Sequence, residues 1–227
     1  MRKSLNMSKT TTIVIGATTP LSQEFDSPDT YVIGRDNKYS ISNFKSGHDL
    51  SSEAGILGEI DKIQLILEDS KESTIFNLVH LQGVSTIDWE ESINVNQISV
   101  AKISEAFCNW IEENNKTGSI TLLGSASSYL GGKITYASTK ASLFGIMNSL
   151  NSRFGEFVRT NIVVPGFFEG GMISDWDSEK IKKVSGKTFS NRPATTNEIY
   201  QSILFSIKNE YVCGAVINMS SGQIAIQ

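Results

Sequence analysis

The chain has 227 residues, two cysteines, two histidines and a formal charge of −4 at pH 7. That length suits one large α/β domain spanning 1–227, which can bury a substantial core without cross-links. The mild acidity and the lack of a basic stripe speak against nucleic acid or an anionic membrane as partner, and leave small molecules. MRKSLNMSKT is basic but leads into a strand pattern rather than a long apolar segment, so residues 1–10 are expected to form a flexible N-terminus and no membrane span is expected. Cys108 and Cys213 stand far apart in apolar surroundings with no metal-ligand spacing. They are expected to be buried free thiols, in a reducing, cytoplasmic setting.

Thr11 to Gly16, a β-branched run closed by glycine, predicts a first strand buried on both faces of a parallel sheet. The loop Gly16-Ala17-Thr18-Thr19-Pro20-Leu21-Ser22 follows. Roughly ten residues separate Pro20 from the next strand at Tyr31–Ile33, and Asp26-Ser27-Pro28-Asp29 reads as a turn, so one or two helical turns fit between. Gly34-Arg35 closes the second strand. ISNFKSG, within Tyr39–Asp49, offers a short third strand, and the spacing of Ile56, Leu57, Ile60, Ile63, Ile66 and Leu67 predicts a helix from Ser51 that covers one face of the sheet. Ser73–Val79 is the fourth strand and leads to His80-Leu81-Gln82-Gly83. With only His48 besides it and no carboxylate spacing nearby, His80 is expected to be a hydrogen-bonded strand-end residue rather than a metal ligand or catalyst. Asp88–Asn115 reads as one long helix whose apolar face, including Val95, Ile98, Ile103, Phe107 and Ile111, is interrupted by Asn96.

The next stretch, Thr121 to Lys140, begins as an apolar strand, breaks at Gly124-Ser125 and re-enters a helix carrying Tyr136 and Lys140. Residues four apart share a helix face, so phenol and ammonium point into one space, where a strand-end serine can meet them. A nearby ammonium favours the phenolate and is expected to lower the tyrosine pKa, which suits proton transfer. Beyond it, Leu143, Ile146, Met147 and Leu150 form either core or a subunit interface. Thr160–Val164 is the sixth strand, ending in Pro165-Gly166. Gly170–Arg192, with its glycines, Trp176 and mixed charges, reads as a mobile region over the site. Thr195-Thr196-Asn197-Glu198 caps a final helix, and Gly214–Asn218 is the seventh strand.

With a serine about ten residues ahead of the Tyr-x-x-x-Lys pair and small residues Ala137, Ser138 and Ala141 around it, this chain resembles the short-chain dehydrogenase/reductase family, in the family's order from first strand to last. The resemblance implies a Rossmann-type doubly wound parallel α/β sheet of seven strands with helices on both faces, and ligand at the carboxyl ends of the strands. It implies Ser125, Tyr136, Lys140 and Asn96 as the catalytic set, with Asn94 the competing position for the asparagine. Cofactor contacts are implied for Gly16, Thr18, Thr19, Leu21, Arg35, Asp49, Leu50, Tyr136, Lys140, Pro165 and Gly166. Gly34-Arg35 leaves room and charge for a 2′-phosphate, which favours NADP(H) over NAD(H). Three elements depart from the family. The first loop keeps one glycine, with Pro20 and Ser22 at the other two positions; only Gly83 survives of Asn-Asn-Ala-Gly; no threonine closely follows Pro165-Gly166.

The expected function is therefore NADP(H)-dependent reduction of a carbonyl, or oxidation of an alcohol, by Ser-Tyr-Lys chemistry. The substrate is a small molecule, 167–192 its lid, and the assembly a homodimer or homotetramer. Two other readings stay open: a cofactor-less binding or assembly protein, and an epimerase or dehydratase using the same cofactor transiently.

Overall fold

The computed structural model describes residues 9–17, 19–170, 173 and 176–224. Its seven strands are β1 (Thr10–Ile15), β2 (Thr30–Gly34), β3 (Phe44–Ser46), β4 (Ile75–His80), β5 (Thr117–Leu123), β6 (Val158–Pro165) and β7 (Val216–Met219). All pair in parallel in the order β3-β2-β1-β4-β5-β6-β7, the doubly wound sheet expected. The chain order reverses between β1 and β4, where such sheets open a crevice at their carboxyl edge. Register aligns that edge. Ile15 lies beside His80, His80 beside Leu122, and Leu123 beside Val163, so the segments leaving β1, β4, β5 and β6 emerge together.

Alternation along the strands sends Ile13, Ile15, Phe76 and Leu78 to one face, and Val14, Val32, Val79 and Val163 to the other. The first face is covered by α1 (Glu53–Asp69), α3 (Ser99–Glu113) and α5 (Ile134–Phe154). The second is covered by α7 (Thr196–Lys208) and the 3-10 turns of Pro20–Phe25, which are all that remains of a first helix. Leu143, Met147 and Leu150 are buried against the first face, so that stripe of α5 belongs to the core. Thr195 and Glu198 cap α7 reciprocally, as the sequence signature required. The sheet connections are completed by α2 (Trp89–Ile93), α4 (Ser127–Leu130) and α6 (Ser178–Ser185).

Two expectations change. The helix expected over 88–115 runs unbroken from Trp89 to Glu113, but between α2 and α3 its backbone widens into a π-helical turn at Asn94–Ile98, a feature that re-aims side chains near functional sites. Cys108 is buried, but Cys213 is exposed, its thiol facing Asn151 Oδ1 at 3.3 Å. It precedes β7, an edge strand with a neighbour on one side only, so its apolar sequence context does not translate into burial. Among the described residues no helix is long and apolar enough to cross a membrane.

Candidate active site at the carboxyl edge of the sheet

Tyr136 and Lys140 sit on the first two turns of α5, and Ser125 lies two residues past β5. The chain returns from β5 to α5 through α4 and Gly131-Gly132, whose φ angles of 81° and 139° favour glycine. Lys140 is 3% exposed, and its Nζ donates to the Leu123 carbonyl at 2.9 Å and the Gln82 carbonyl at 3.2 Å. Burial pulls its pKa down to about 8. The Ser125 and Tyr136 side chains line the same cavity. Burial pushes the phenol pKa up, with Ser125 acting the other way. The Lys140 ammonium, held toward the Leu123 and Gln82 carbonyls, is not among the causes of that shift.

The two candidate asparagines occupy different surroundings. Asn96 is fully buried; its Oδ1 accepts from Val84 N at 2.8 Å, and its Nδ2 donates to Val84 O at 2.9 Å and Thr139 Oγ1 at 3.0 Å. Asn94 instead donates to the Ser51 carbonyl at 2.7 Å, away from the pair on α5. Asn96 and Lys140 flank Gly83, where an added Cβ would lie 3.0 Å from Lys140 Nζ and 3.4 Å from Asn96 Oδ1. His80 is a buried strand-end residue, as expected. Its Nδ1 accepts from the Gln82 amide at 2.8 Å, so its Nε2 donates to Ser104 Oγ at 3.0 Å. Desolvation drops its pKa to about 3 and keeps it neutral.

A cavity of about 1000 Å³ opens onto Ser125, Tyr136 and Lys140. Pro165 and Gly166 form part of its wall, as do Thr19 and Pro20 of the first loop and Phe167, Phe168, Ile173 and Trp176 from the segment after β6. Gly16, at φ 108°, packs so closely on the Leu81-Gln82 backbone that a Cβ would lie 2.6 Å from Gln82 N. Thr18 lies outside the described residues. Leu21 turns its side chain wholly into the core, and Leu50 is partly buried against the other core face, so neither lines the cavity. Arg35 and Asp49 are exposed outside it. Asp49 is held below the usual carboxylate range chiefly by Ser51, with a smaller contribution from Arg35.

The sequence reading missed several wall residues. Lys38 and Tyr39 lie just beyond Arg35, and Gln223 directly follows the closing Ser221-Gly222 pair. Gln223 Oε1 packs against Gly166 and, like Thr19 Oγ1, is buried with no hydrogen-bond partner among the described residues. Adjacency to those two signatures was the available signal.

Residues 77–223 match the family model described as enoyl-(acyl carrier protein) reductase. Among characterised sequences, the chain is 30% identical over 148 residues to the 3-oxoacyl-(acyl-carrier-protein) reductase of Buchnera aphidicola, covering 63% of this chain and 60% of that one. It is 31% identical over 141 residues to the acetoacetyl-CoA reductase of Synechocystis, covering 59% and 58%. The match thus spans about 60% of the length of these relatives. The solved Pseudomonas aeruginosa RhlG/NADP active-site complex superposes with a TM-score of 0.79 at 18% identity, over 99% of this chain and 100% of that one, which is a likeness of fold.

Proposed function

The chain belongs to the short-chain dehydrogenase/reductase family, and we propose that it acts there as an NADP(H)-dependent oxidoreductase, reducing a carbonyl or oxidising the matching alcohol. The observation that carries this reading is the meeting of Ser125, Tyr136 and Lys140, from two elements, in the wall of one cavity at the carboxyl edge of the sheet. A dinucleotide fits the residues present. The Thr19 hydroxyl and the Gln223 amide oxygen, an acceptor, lie in the cavity wall, buried without a hydrogen-bond partner among the described residues, and Gly166 brings backbone to its surface. Lys140 and Tyr136 would hold the nicotinamide ribose, Pro165 and Gly166 the ring, and Gly16 and Thr19 the pyrophosphate. Arg35, open to solvent at the end of β2, is free to meet a 2′-phosphate, with Asp49 and Leu50 toward the adenine.

A reduced nicotinamide held by these residues would supply the hydride for the carbonyl carbon. Ser125 hydrogen-bonds the carbonyl oxygen, orienting it and stabilising the negative charge that develops there. Tyr136 donates its phenolic proton to that oxygen. Lys140, with a pKa of about 8, is mostly charged at neutral pH, and in this reading its ammonium turns from the Leu123 and Gln82 carbonyls toward the phenolate as the proton leaves. Asn96 fixes the Val84 backbone and Thr139 beside Lys140 and supports the path by which the proton is restored.

The names of two relatives make a 3-oxoacyl thioester the first substrate to assay. In this reading 167–192 is the substrate lid, and the protein works as a homodimer or homotetramer in the cytoplasm. Tyr136→Phe should keep NADPH binding within about threefold and lower turnover by at least 100-fold, in the range attributed to general acid catalysis. Unchanged turnover in that variant would sink the assignment.

A further inference from the structure

From the charge of the cavity wall we infer that the substrate carries an oxoanion, held at the lid end by Lys133, Lys180 and Lys187; this rests on the carbonyl-reductase reading above. The chain as a whole is acidic, with 24 carboxylate residues against 20 lysines and arginines. The cavity inverts that balance: five lysines and no aspartate or glutamate line it among the described residues. Lys140 belongs to the proton-transfer set, and Lys38 stands beside the first loop, where the cofactor phosphates would lie. The remaining three belong to the start of α5 and the segment after β6, which the cofactor roles assigned above do not use.

These three come from different segments. Lys133 is the N-cap residue of α5, one turn before Tyr136, and its Nζ is anchored to the Ser85 carbonyl at 2.8 Å. Lys180 lies in α6 with its Nζ 3.8 Å from the Trp176 ring centroid. A cation over an aromatic face keeps N–H groups available for an acceptor. Lys187 follows α6. None of the three forms an ion pair among the described residues; the ion pairs found there involve other side chains. All three are solvent-exposed, so water screens their mutual repulsion, and an anionic occupant of the cavity they share would remove what remains of it. Trp176 also packs on Phe167 with ring centroids 5.5 Å apart, giving an apolar wall for the body of the substrate next to the cations for its charged end. The oxoanion can be the substrate's own carboxylate or a phosphate on its carrier.

Three probes share one 3-oxobutanoyl group: neutral ethyl acetoacetate, acetoacetate with its own carboxylate, and acetoacetyl-CoA with carrier phosphates. Their binding is measured by calorimetry on the full chain with saturating NADP+, which occupies the cofactor end and precludes reduction. At least one anionic probe should bind tenfold or more tightly than the ethyl ester, and the tighter of the two identifies the source. In Lys180→Glu/Lys187→Glu that ratio should fall at least fivefold. Because both terms come from one preparation, partial misfolding does not move it. Equal binding of ester and anions, no binding of either anion, or a ratio that survives the double charge reversal overturns the inference. NADPH binding, followed separately by nicotinamide fluorescence, tells such a failure from failure of the reductase reading itself.

Discussion

Replacing Lys140 with methionine removes an ammonium that the fold keeps buried against two backbone carbonyls. The native pKa lies near 8, against 10.5 for the exposed side chain. Between those values the unfolded chain holds a proton that the folded chain has released. Folding stability therefore rises with pH across the window, and this contribution is lost as pH falls through 8. Integrating the two titrations gives about 2–3 kcal/mol between pH 7 and pH 10, with a slope of about 1 kcal/mol per pH unit at the steepest. Lys140→Met also loses two hydrogen bonds and changes packing, but those terms vary little with pH. Cys108, whose pKa burial and Glu105 push up to about 12, acts in the opposite sense above pH 9 and does so in both proteins. The quantity to read is thus the difference in unfolding free energy between wild type and variant, from urea titrations at pH 7, 8, 9 and 10. Wild type should gain on the variant by about 2–3 kcal/mol over that range. Parallel stability curves would refute the claim that Lys140 is a desolvated ammonium.

Gly83→Ala places a methyl against the Lys140 ammonium and the Asn96 amide in a packed interior. It should cost about 1–3 kcal/mol in urea unfolding, as overpacking does, and lower turnover at least tenfold; wild-type turnover would show that the Lys140 position tolerates displacement. The two thiols should separate cleanly in the native protein. Maleimide should label the exposed Cys213 within minutes and leave Cys108, buried and with its thiolate disfavoured, unlabelled until urea is added. Equal labelling rates would contradict the placement of Cys108 in the core.

The order of strands was legible because each buried strand reads as a β-branched or apolar run closed by a glycine or a turn, and burial on both faces leaves few alternatives. Ser125, Tyr136 and Lys140 were legible because strand end, turn and helical spacing fix their directions locally. The π-helical turn at Asn94–Ile98 was not, since one extra residue in a turn hardly alters hydrophobic spacing. The environment of Tyr136 was also beyond reach. Helical spacing places Lys140 on its face, but the carbonyls of Leu123 and Gln82 that hold the ammonium come from β5 and the segment after β4. The exposure of Cys213 depended on β7 being an edge strand, a property of the whole sheet. Arg35 illustrates the same limit: its place after β2 could be read, whereas its position outside the cavity wall, with Lys38 inside, follows from how the segment between β2 and β3 folds back.

The most direct test of the reductase reading is a nicotinamide fluorescence titration of the wild-type protein with NADPH and with NADH. The first loop keeps only Gly16 of its glycines, yet the proton-transfer set is complete, so NADPH should bind with micromolar affinity. NADH should bind at least tenfold more weakly, because it lacks the phosphate that Arg35 would meet under the proposed function. Binding of neither dinucleotide at millimolar concentration would contradict the reading and turn the chain toward a cofactor-less binding role. Tighter binding of NADH would overturn the part assigned to Arg35.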